Sequence, residues 1–272
     1  MSYPKNLLPS EEKIRGYLLS EERTLSVYVY DTLDSTNTEA RRRLAQGEVH
    51  PCLLVAHTQT AGKGRLGRTF YSPPGSGLYM TLMYTVTGVG EDGVCVTSAA
   101  AVAASDAIRE VFGREVGIKW VNDLYLDGKK VGGILAEAVP LQHGYAVILG
   151  IGINITTRDF PDGMRHPAGA MLGEADAPVD QSLLCARITN ALLTYLKPEQ
   201  RTPCLERYRR RLLLTGRRVV CSHNFSPDGA PDAAMSDEGI VEGVDDDYGL
   251  ILRLADGTRR VFHSGEISVY DV

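Results

Sequence analysis

The chain has 272 residues, of which 43% are hydrophobic and 23% charged, so it can bury a substantial core and divide into two domains. Its 29 lysines and arginines against 34 aspartates and glutamates give a formal net charge of -5, which argues against a general polyanion binder and makes any basic site local. The five cysteines form no CxxC pair, and no apolar stretch is long enough for a membrane helix. We therefore expect a cytoplasmic protein that does not contact membranes.

A strand followed by a helix is predicted after a polar N-terminal segment. Residues 25–33, LSVYVYDTL, are β-branched and aromatic, as is typical of a strand. The next run, STNTEARRRLAQG, predicts a helix with Thr36 as its N-cap and Glu39 as the second member of a capping box. Gly47 suits the end of this helix.

Two buried strands are predicted at 51–60 and 77–86, and the segment between them contains AGKGRLGR at 61–68. Glycines let backbone N–H groups converge on an anion, while lysine and arginine neutralise its charge. The pattern therefore predicts an anionic ligand. A Walker A loop is excluded, because it requires serine or threonine after the Gly-Lys pair, whereas Gly62-Lys63 is followed by another glycine. A solvated basic turn is the alternative from this segment alone.

The middle of the chain predicts a helix and more strands. The alanine-rich residues 94–112 are apolar on most of the helix circumference, which favours packing against a sheet. Residues 116–139 predict two strands around an Asp-Gly turn at 127–128, and 146–156 predict another buried strand.

The last third of the chain predicts a loop, two helices and a small β domain. Residues 157–178 are rich in glycine and proline, Asp180 opens a helix, and a basic helix with the run RYRRRLLL ends near Leu214. That run is more typical of a solvated helix face than of a binding patch. Five short β runs from Thr215 onward predict a small barrel docked on the larger domain. The predicted divisions are thus 1–24, 25–214 and 215–272.

Four segments taken together resemble the biotin–protein ligases: TQTAGKGRLGRTFYSPPGSGLYMT, DSTN at 34–37, KWVNDLYLDGKKVGGIL at 119–135 and GIGIN at 150–154. The resemblance implies an α/β (α+β) catalytic domain like that of class II tRNA synthetases, with a mixed, largely antiparallel sheet, followed by an SH3-like barrel. It also implies that biotin and ATP, with Mg²⁺, form biotinyl-5′-AMP and pyrophosphate. A lysine of a carboxylase's biotin-carrier domain would then accept the biotinyl group.

The resemblance also assigns site residues. Those expected to bind biotin are Ser35, Thr36, Asn37, Gln59, Lys63, Gly64, Arg65, Lys130, Gly132 and Gly133. Those expected to bind ATP or the adenylate are Lys63, Arg65, Arg68, Phe70, Asn122 and Asn154. Lys130 and Arg65 are the expected catalytic residues, because fixed cations stabilise charge that develops on phosphoryl oxygens. Asp123 is expected near Mg²⁺, although Asn122 and Asp123 could equally form a turn.

Three positions depart from the family pattern. Lys63 replaces an arginine of the basic loop and lacks the bidentate fork of a guanidinium group. Val121 replaces the proline of KWPND, and Phe70 stands where a tryptophan is usual. Two further features have structural alternatives. Trp120 is predicted to pack rather than to contact ligand, and the glycine pair at 132–133 could form a β-bulge.

Other functions remain open from the sequence. A lipoate–protein ligase or octanoyltransferase shares the fold, although GKGRLGR and KVGGIL favour biotin; a non-catalytic sensor of biotin or its adenylate is the alternative outside enzymes. Only about 24 residues precede the first strand, so a helix-turn-helix domain and DNA binding are not expected. A homodimer is compatible with the sequence, which identifies neither the oligomeric state nor the acceptor carboxylase.

Overall fold

Two β-sheets organise the chain in the computed structural model, which describes residues 3–86, 93–162, 167–222 and 236–269. The helices are α1 (Glu11–Tyr17), α2 (Thr36–Ala45), α3 (Gly93–Phe112), α4 (Gln181–Tyr195) and α5 (Arg201–Arg211). The strands of the larger sheet are β1 (Ser26–Leu33), β2 (Cys52–Gln59), β3 (Gly77–Val86), β4 (Gly117–Lys119), β5 (Asp123–Leu126), β6 (Lys129–Pro140) and β7 (Tyr145–Asn154). Those of the smaller sheet are β8 (Arg218–Ser222), β9 (Ser236–Val244), β10 (Leu250–Leu254), β11 (Arg259–Phe262) and β12 (Glu266–Val269).

The larger sheet has the strand order β1-β2-β3-β7-β6-β5-β4. Its β1 and β2 pair in parallel and its other neighbours pair antiparallel, which confirms the predicted mixed, largely antiparallel sheet. Helix α3 packs between this sheet and the helices α4 and α5, and its residues 99–104 are all fully or almost fully buried alanine or valine. Small side chains allow this helix to lie close to its neighbours on several sides. Among the described residues, no helix has the length and apolarity needed to cross a membrane.

Two predicted helix and strand boundaries need correction. The N-cap of α2 is Ser35 rather than Thr36, because the Thr36 N–H and hydroxyl both lie within hydrogen-bond distance of the Gln59 side chain. The segment 116–139 forms three strands rather than two, since the chain leaves β4 at the buried pair Trp120 and Val121, which a cis peptide bond joins.

Helix α1 lies within the N-terminal segment for which no helix was predicted. Ser10 caps it by accepting a hydrogen bond from the Lys13 N–H, and the helix buries Ile14. Helix α1 packs against α4, where Ser182 Oγ accepts from the Ser10 N–H at 3.1 Å and Asn190 Nδ2 donates to the Tyr17 carbonyl at 3.1 Å. The segment is therefore part of the larger domain.

The smaller sheet has the order β11-β10-β9-β8-β12 and is antiparallel throughout, as predicted for the C-terminal domain. Trp120 is almost fully buried and its Nε1 donates to the Tyr248 carbonyl at 2.9 Å, so it packs as predicted. That it does not contact ligand stays a prediction, because Trp120 also lines the cavity described below. Arg209 Nη2 donates to the Val244 carbonyl at 3.1 Å, and the Tyr208 ring packs edge-to-face on Tyr248. Tyr208 and Arg209 of this run thus contact the C-terminal domain, whereas Arg210 is exposed, so the predicted solvated face is only partly observed.

Asp106 of α3 joins α4 and α5, since its carboxylate accepts hydrogen bonds from Tyr195 Oη, Arg207 and Arg211. The Asp106 and Arg211 side chains are only 13% and 11% exposed. Asp106→Asn keeps the size but removes the charge, leaving a buried guanidinium without its counter-ion. We expect it to lower the free energy of unfolding by about 2–3 kcal/mol, measured by urea denaturation.

Glu115→Gln is the matched control for this prediction. Glu115 also pairs with an arginine of α3, Arg109, but at 3.8 Å and with its side chain 66% exposed. The control is expected to change stability by less than about 0.5 kcal/mol. Equal effects of the two substitutions would contradict a structural role for the buried charge.

Candidate active site

A cavity of about 390 Å³ lies between the larger sheet, the glycine-rich loop, the start of α2 and the C-terminal domain. Thirteen of the fifteen residues predicted for the site line it: Ser35, Thr36, Asn37, Gln59, Lys63, Gly64, Arg65, Arg68, Phe70, Asn122, Asp123, Lys130 and Gly133. They come from positions as far apart as 35 and 133, so the fold gathers segments that the sequence separates.

The other two predicted residues, Gly132 and Asn154, lie behind this lining. A Cβ atom at Gly132 would come within 2.8 Å of the Gly152 carbonyl oxygen, so glycine there permits the close approach of β6 to β7. Asn154 is buried, and its Nδ2 donates to the Gly169 carbonyl at 3.1 Å. Both residues shape the backbone next to the cavity, and their contact with a ligand stays a prediction.

Neutral polar groups surround one end of the cavity. Gln59 Oε1 accepts a hydrogen bond from the Thr36 N–H at 2.8 Å, and Gln59 Nε2 donates to Ser72 Oγ at 3.0 Å. Asn37, buried beside them, donates from Nδ2 to Glu137 Oε2 at 2.7 Å. The start of α2 and the end of β2 thus fix several donors and acceptors of one subsite without placing an ionised group in its lining.

The two glycines of GIGIN give this end of the cavity its shape. A Cβ atom at Gly150 would lie 2.2 Å from Asn37 Oδ1, and one at Gly152 would lie 2.6 Å from the Phe70 ring. Real Cβ atoms do not approach so closely, so only glycine admits Asn37 and Phe70 in their observed positions. Sequence analysis identified the motif but not these partners.

The glycine-rich loop folds into a tight turn. Gly64 N–H donates to the Arg68 carbonyl at 2.7 Å, and Phe70 N–H donates to the Gly62 carbonyl at 2.9 Å. At the tip, Leu66 and Gly67 have positive φ angles of 55° and 73°. The turn therefore holds the basic side chains of the loop on a defined backbone beside the cavity.

Arg65 connects this loop to two other parts of the molecule. Its Nη1 donates to Asn122 Oδ1 at 3.2 Å, and its Nη2 donates to the Gly265 carbonyl at 3.3 Å. Gly265 and Ile267 of the C-terminal domain also line the cavity. The C-terminal domain is consequently part of the site.

Lys130 and Asp123 form an ion pair inside the cavity, with 2.6 Å between Nζ and Oδ1. The two residues lie on the paired strands β5 and β6, where the register shifts between Leu124 and Tyr125 because Val131 has no partner. The bulge therefore lies next to the glycine pair 132–133, not on it. A Cβ atom at Gly133 would lie 3.5 Å from Lys130 Nζ. The glycine therefore leaves the amine open to the cavity.

Positive charge dominates the ionised groups of the cavity. In its described lining, Asp123 is the one carboxylate. The five basic residues there are Lys63, Arg65, Arg68, Lys119 and Lys130. Lys119 is 9% exposed and was not predicted, because a lysine in a strand pattern normally faces solvent. Since the whole chain carries a net charge of -5, this concentration of cations is a local site for an anionic ligand.

Apolar side chains also line the cavity. Met80, Ile134 and Ile151 are almost fully buried and line the cavity, with Leu135 and Trp120 beside them. The cavity thus offers neutral polar, apolar and cationic groups to one ligand.

A protein-held Mg²⁺ does not fit the described residues. No group of three histidine, cysteine or acidic side chains there could hold a metal ion, and the Asp123 carboxylate is already paired with Lys130. Magnesium bound to nucleotides commonly keeps waters and phosphate oxygens as most of its ligands, so Mg²⁺ would enter with a triphosphate. The role predicted for Asp123 stays a prediction.

Comparison with known proteins agrees with this geometry. Residues 29–154 match the Biotin/lipoate A/B protein ligase family, and residues 236–270 match the Biotin protein ligase C terminal domain. The Biotin--[acetyl-CoA-carboxylase] ligase of Paracoccus denitrificans is 31% identical over 245 residues, which cover 86% of this chain and 96% of that protein. The chain belongs to the biotin protein ligase family. The resemblance noted from the sequence motifs is confirmed.

Other relatives of the family differ in length. The Bifunctional ligase/repressor BirA of Bacillus subtilis is 34% identical over 176 residues, so the match covers 64% of this chain and about half, 54%, of that relative. The solved structure "Biotin protein ligase from Aquifex aeolicus in complex with biotin and ATP" superposes with a TM-score of 0.71 at 23% identity, covering 91% of this chain and 99% of that one. This likeness confirms the biotin protein ligase fold.

Proposed function

We propose that this chain is a biotin–protein ligase that activates biotin with ATP and transfers it to a lysine of a carboxylase carrier domain. In the first step a biotin carboxylate oxygen bonds to the α-phosphorus of ATP, and the bond from that phosphorus to pyrophosphate breaks. In the second step the lysine amine bonds to the acyl carbon, and AMP leaves. The reducing cytoplasm is the expected location.

The observation that carries this proposal is the arrangement of one cavity with neutral polar groups at one end and five cations in its lining. The ureido ring of biotin offers N–H donors and a carbonyl acceptor, which match the polar end formed by Ser35, Thr36, Asn37 and Gln59. The valeryl chain suits the apolar surface. Its carboxylate and the ATP phosphates require the cations, because joining them brings several negative charges together.

Lys130 and Arg65 are the proposed catalytic residues. Lys130 Nζ lies in the cavity over Gly133, and Arg65 is held by Asn122 and the Gly265 carbonyl. Preorganised cations of this kind stabilise charge on phosphoryl oxygens without reorganising during the reaction. Lys63 and Arg68, on the same loop, are proposed to contact the carboxylate and phosphates, and Phe70 to lie near the adenine.

The alternative acyl ligands are less well supported by the site. Lipoate and octanoate end in a dithiolane ring or an alkyl group, which would offer no hydrogen bond to the remaining donor and acceptor capacity of Thr36 and Gln59. Buried polar groups without hydrogen bonds cost free energy. The name of the Paracoccus denitrificans relative includes acetyl-CoA carboxylase, so a carrier domain of that kind is the proposed acceptor.

Pyrophosphate release distinguishes these functions. Purified protein is incubated with Mg²⁺, ATP and one of biotin, lipoate or octanoate, and pyrophosphate is measured by a coupled assay. Intact-mass analysis under native conditions then detects a retained acyl-adenylate. We expect pyrophosphate release and a retained adenylate with biotin, but neither with lipoate or octanoate. Release with lipoate or octanoate but not biotin would replace the proposed function, and binding of biotin without pyrophosphate release would indicate a sensor.

A further inference from the structure

Glu137 of β6 lies just outside the cavity lining and holds the amide of Asn37. Its side chain is 19% exposed; Oε2 accepts from Asn37 Nδ2 at 2.7 Å, and Oε1 accepts from Arg41 Nη2 at 2.8 Å. Burial raises the pKa of Glu137, but the hydrogen bonds from Arg41 and Asn37 outweigh it and leave the pKa below its usual value. Glu137 is therefore an ionised, acceptor-only group at neutral pH.

An acceptor-only carboxylate fixes which way the Asn37 amide faces. The opposite orientation would place Asn37 Oδ1 against Glu137 Oε2, with no proton between two acceptors. With Nδ2 toward Glu137, Asn37 Oδ1 faces the hydroxyl of Thr81, 2.7 Å away. Thr81 is fully buried. The amide orientation is thus set by charge rather than by shape.

The orientation of the Asn37 amide determines which way the hydroxyls of Thr81 and Thr36 donate. Thr81 Oγ1 lies 2.7 Å from both Asn37 Oδ1 and Thr36 Oγ1, but it has one proton. Because Asn37 Oδ1 cannot donate, the Thr81 proton must go to it. The Thr36 hydroxyl then donates to Thr81 at 2.7 Å rather than to Gln59 Oε1, which is farther away at 3.2 Å and already accepts from the Thr36 N–H. The Thr36 oxygen, which belongs to a cavity-lining residue, is left with its lone pairs for a ligand.

We propose that Glu137 is a positioning residue that sets the direction of the hydrogen-bond chain Thr36, Thr81, Asn37, so that the polar end of the cavity accepts an N–H group from its ligand. This inference rests on the proposed function, because it explains how that site selects a ureido ring. A dithiolane or alkyl group has no N–H to offer. Without the carboxylate, this hydrogen-bond chain can run in either direction, and the preference for a ligand with an N–H group weakens.

Glu137→Gln tests the proposal, because its side chain keeps nearly the same shape but can donate a hydrogen bond to Asn37 Oδ1 and release the amide to flip. Calorimetry measures the Kd of biotin, of ATP, and of two biotins that are singly methylated on either ureido nitrogen. In the wild type, the weaker-binding methyl analogue is expected to lose about thirtyfold or more in affinity, as for an unsatisfied buried acceptor. In Glu137→Gln, biotin is expected to bind about tenfold more weakly, and the methylation penalty to fall below about fivefold. The Kd of ATP should not change. A general loss of structure would weaken ATP binding as well, so this measurement distinguishes the two.

Two further variants test this role. One removes the ion pair with Arg41, and the other interrupts the hydrogen-bond chain at Thr81. Arg41→Met removes that ion pair but keeps the contact between Glu137 and Asn37. Measured at about pH 8, where the carboxylate stays ionised without Arg41, biotin affinity should remain within about twofold of the wild type. In a Thr81→Val background the chain is already broken, and adding Glu137→Gln should change the methylation penalty by less than about twofold.

An undiminished methylation penalty in Glu137→Gln would overturn the inference, as would an equal effect of that substitution in the Thr81→Val background. Failure of the proposed function looks different, because wild-type protein would then release no pyrophosphate with biotin and ATP. A wild type that is active with biotin, together with Glu137→Gln that discriminates normally, would leave the proposed function intact and remove Glu137 from it.

Discussion

Replacing Lys130 with alanine is expected to slow biotinyl-adenylate formation at least about a hundredfold, equivalent to about 3–4 kcal/mol of transition-state stabilisation. The reason is the position of the Lys130 amine in the cavity, paired with Asp123 and above Gly133. The substitution removes a fixed cation and also leaves the Asp123 carboxylate in the cavity without its partner. Single-turnover pyrophosphate release with saturating biotin and ATP measures the effect on the chemical step.

Lys129→Ala is the matched control, because it removes the same functional group from the neighbouring residue. The Lys129 side chain lies on the opposite side of β6, where it lines a second cavity beside Gly169. The control is expected to keep the rate within about twofold, since adjacent residues of a strand face opposite sides. Lys130→Ala that forms adenylate within about fivefold of the wild-type rate would remove Lys130 from the mechanism.

Gly150→Ala should weaken biotin binding at least about tenfold, because overpacking in a close-packed site costs about 1–3 kcal/mol. The added methyl group would lie 2.2 Å from Asn37 Oδ1, so Asn37 must move out of the polar end of the cavity. ATP binding alone should be less affected, since Asn37 is not among the residues proposed to contact the nucleotide. Calorimetric titrations with each substrate measure this difference.

Gly16→Ala controls for the glycine-to-alanine change itself. Gly16 lies in α1, its φ is not positive, and a Cβ atom there would have no other atom within 4 Å. Alanine favours a helix over glycine by roughly 0.5–1 kcal/mol, so stability should rise slightly while biotin affinity stays the same. Wild-type biotin affinity in Gly150→Ala would show that the Asn37 position is not needed for binding.

Local patterns were sufficient to predict most of the strands and helices. The predicted range 77–86 coincides with β3, and Asp180 caps α4 as expected, because both depend on residues close in sequence. Helix α1 was missed because it has seven residues and a mostly polar sequence; the cap at Ser10 followed by two glutamates was the available signal. The predicted Thr36 cap was wrong because a distant partner, Gln59, competes for that residue.

The site was predicted by motif, but its distant contacts were not. Asn37 and Glu137 are 100 residues apart, and nothing in either segment indicates that one holds the other. The contact of Arg65 with Gly265 spans 200 residues and joins two domains, so no local pattern can predict it. Lys119 and the cavity-facing apolar residues were missed for a related reason, since burial depends on the tertiary packing of the sheet.

The contact between Arg65 and the Gly265 carbonyl has a consequence for the lifetime of a mixed anhydride. Such an intermediate decays quickly wherever bulk water reaches it. Gly265 and Ile267 form part of the cavity wall. The intermediate is therefore protected from water only while the C-terminal domain stays packed against Trp120 and α5. Substitutions at this interface between the two domains are thus expected to shorten the lifetime of the activated vitamin, even though they contact neither substrate.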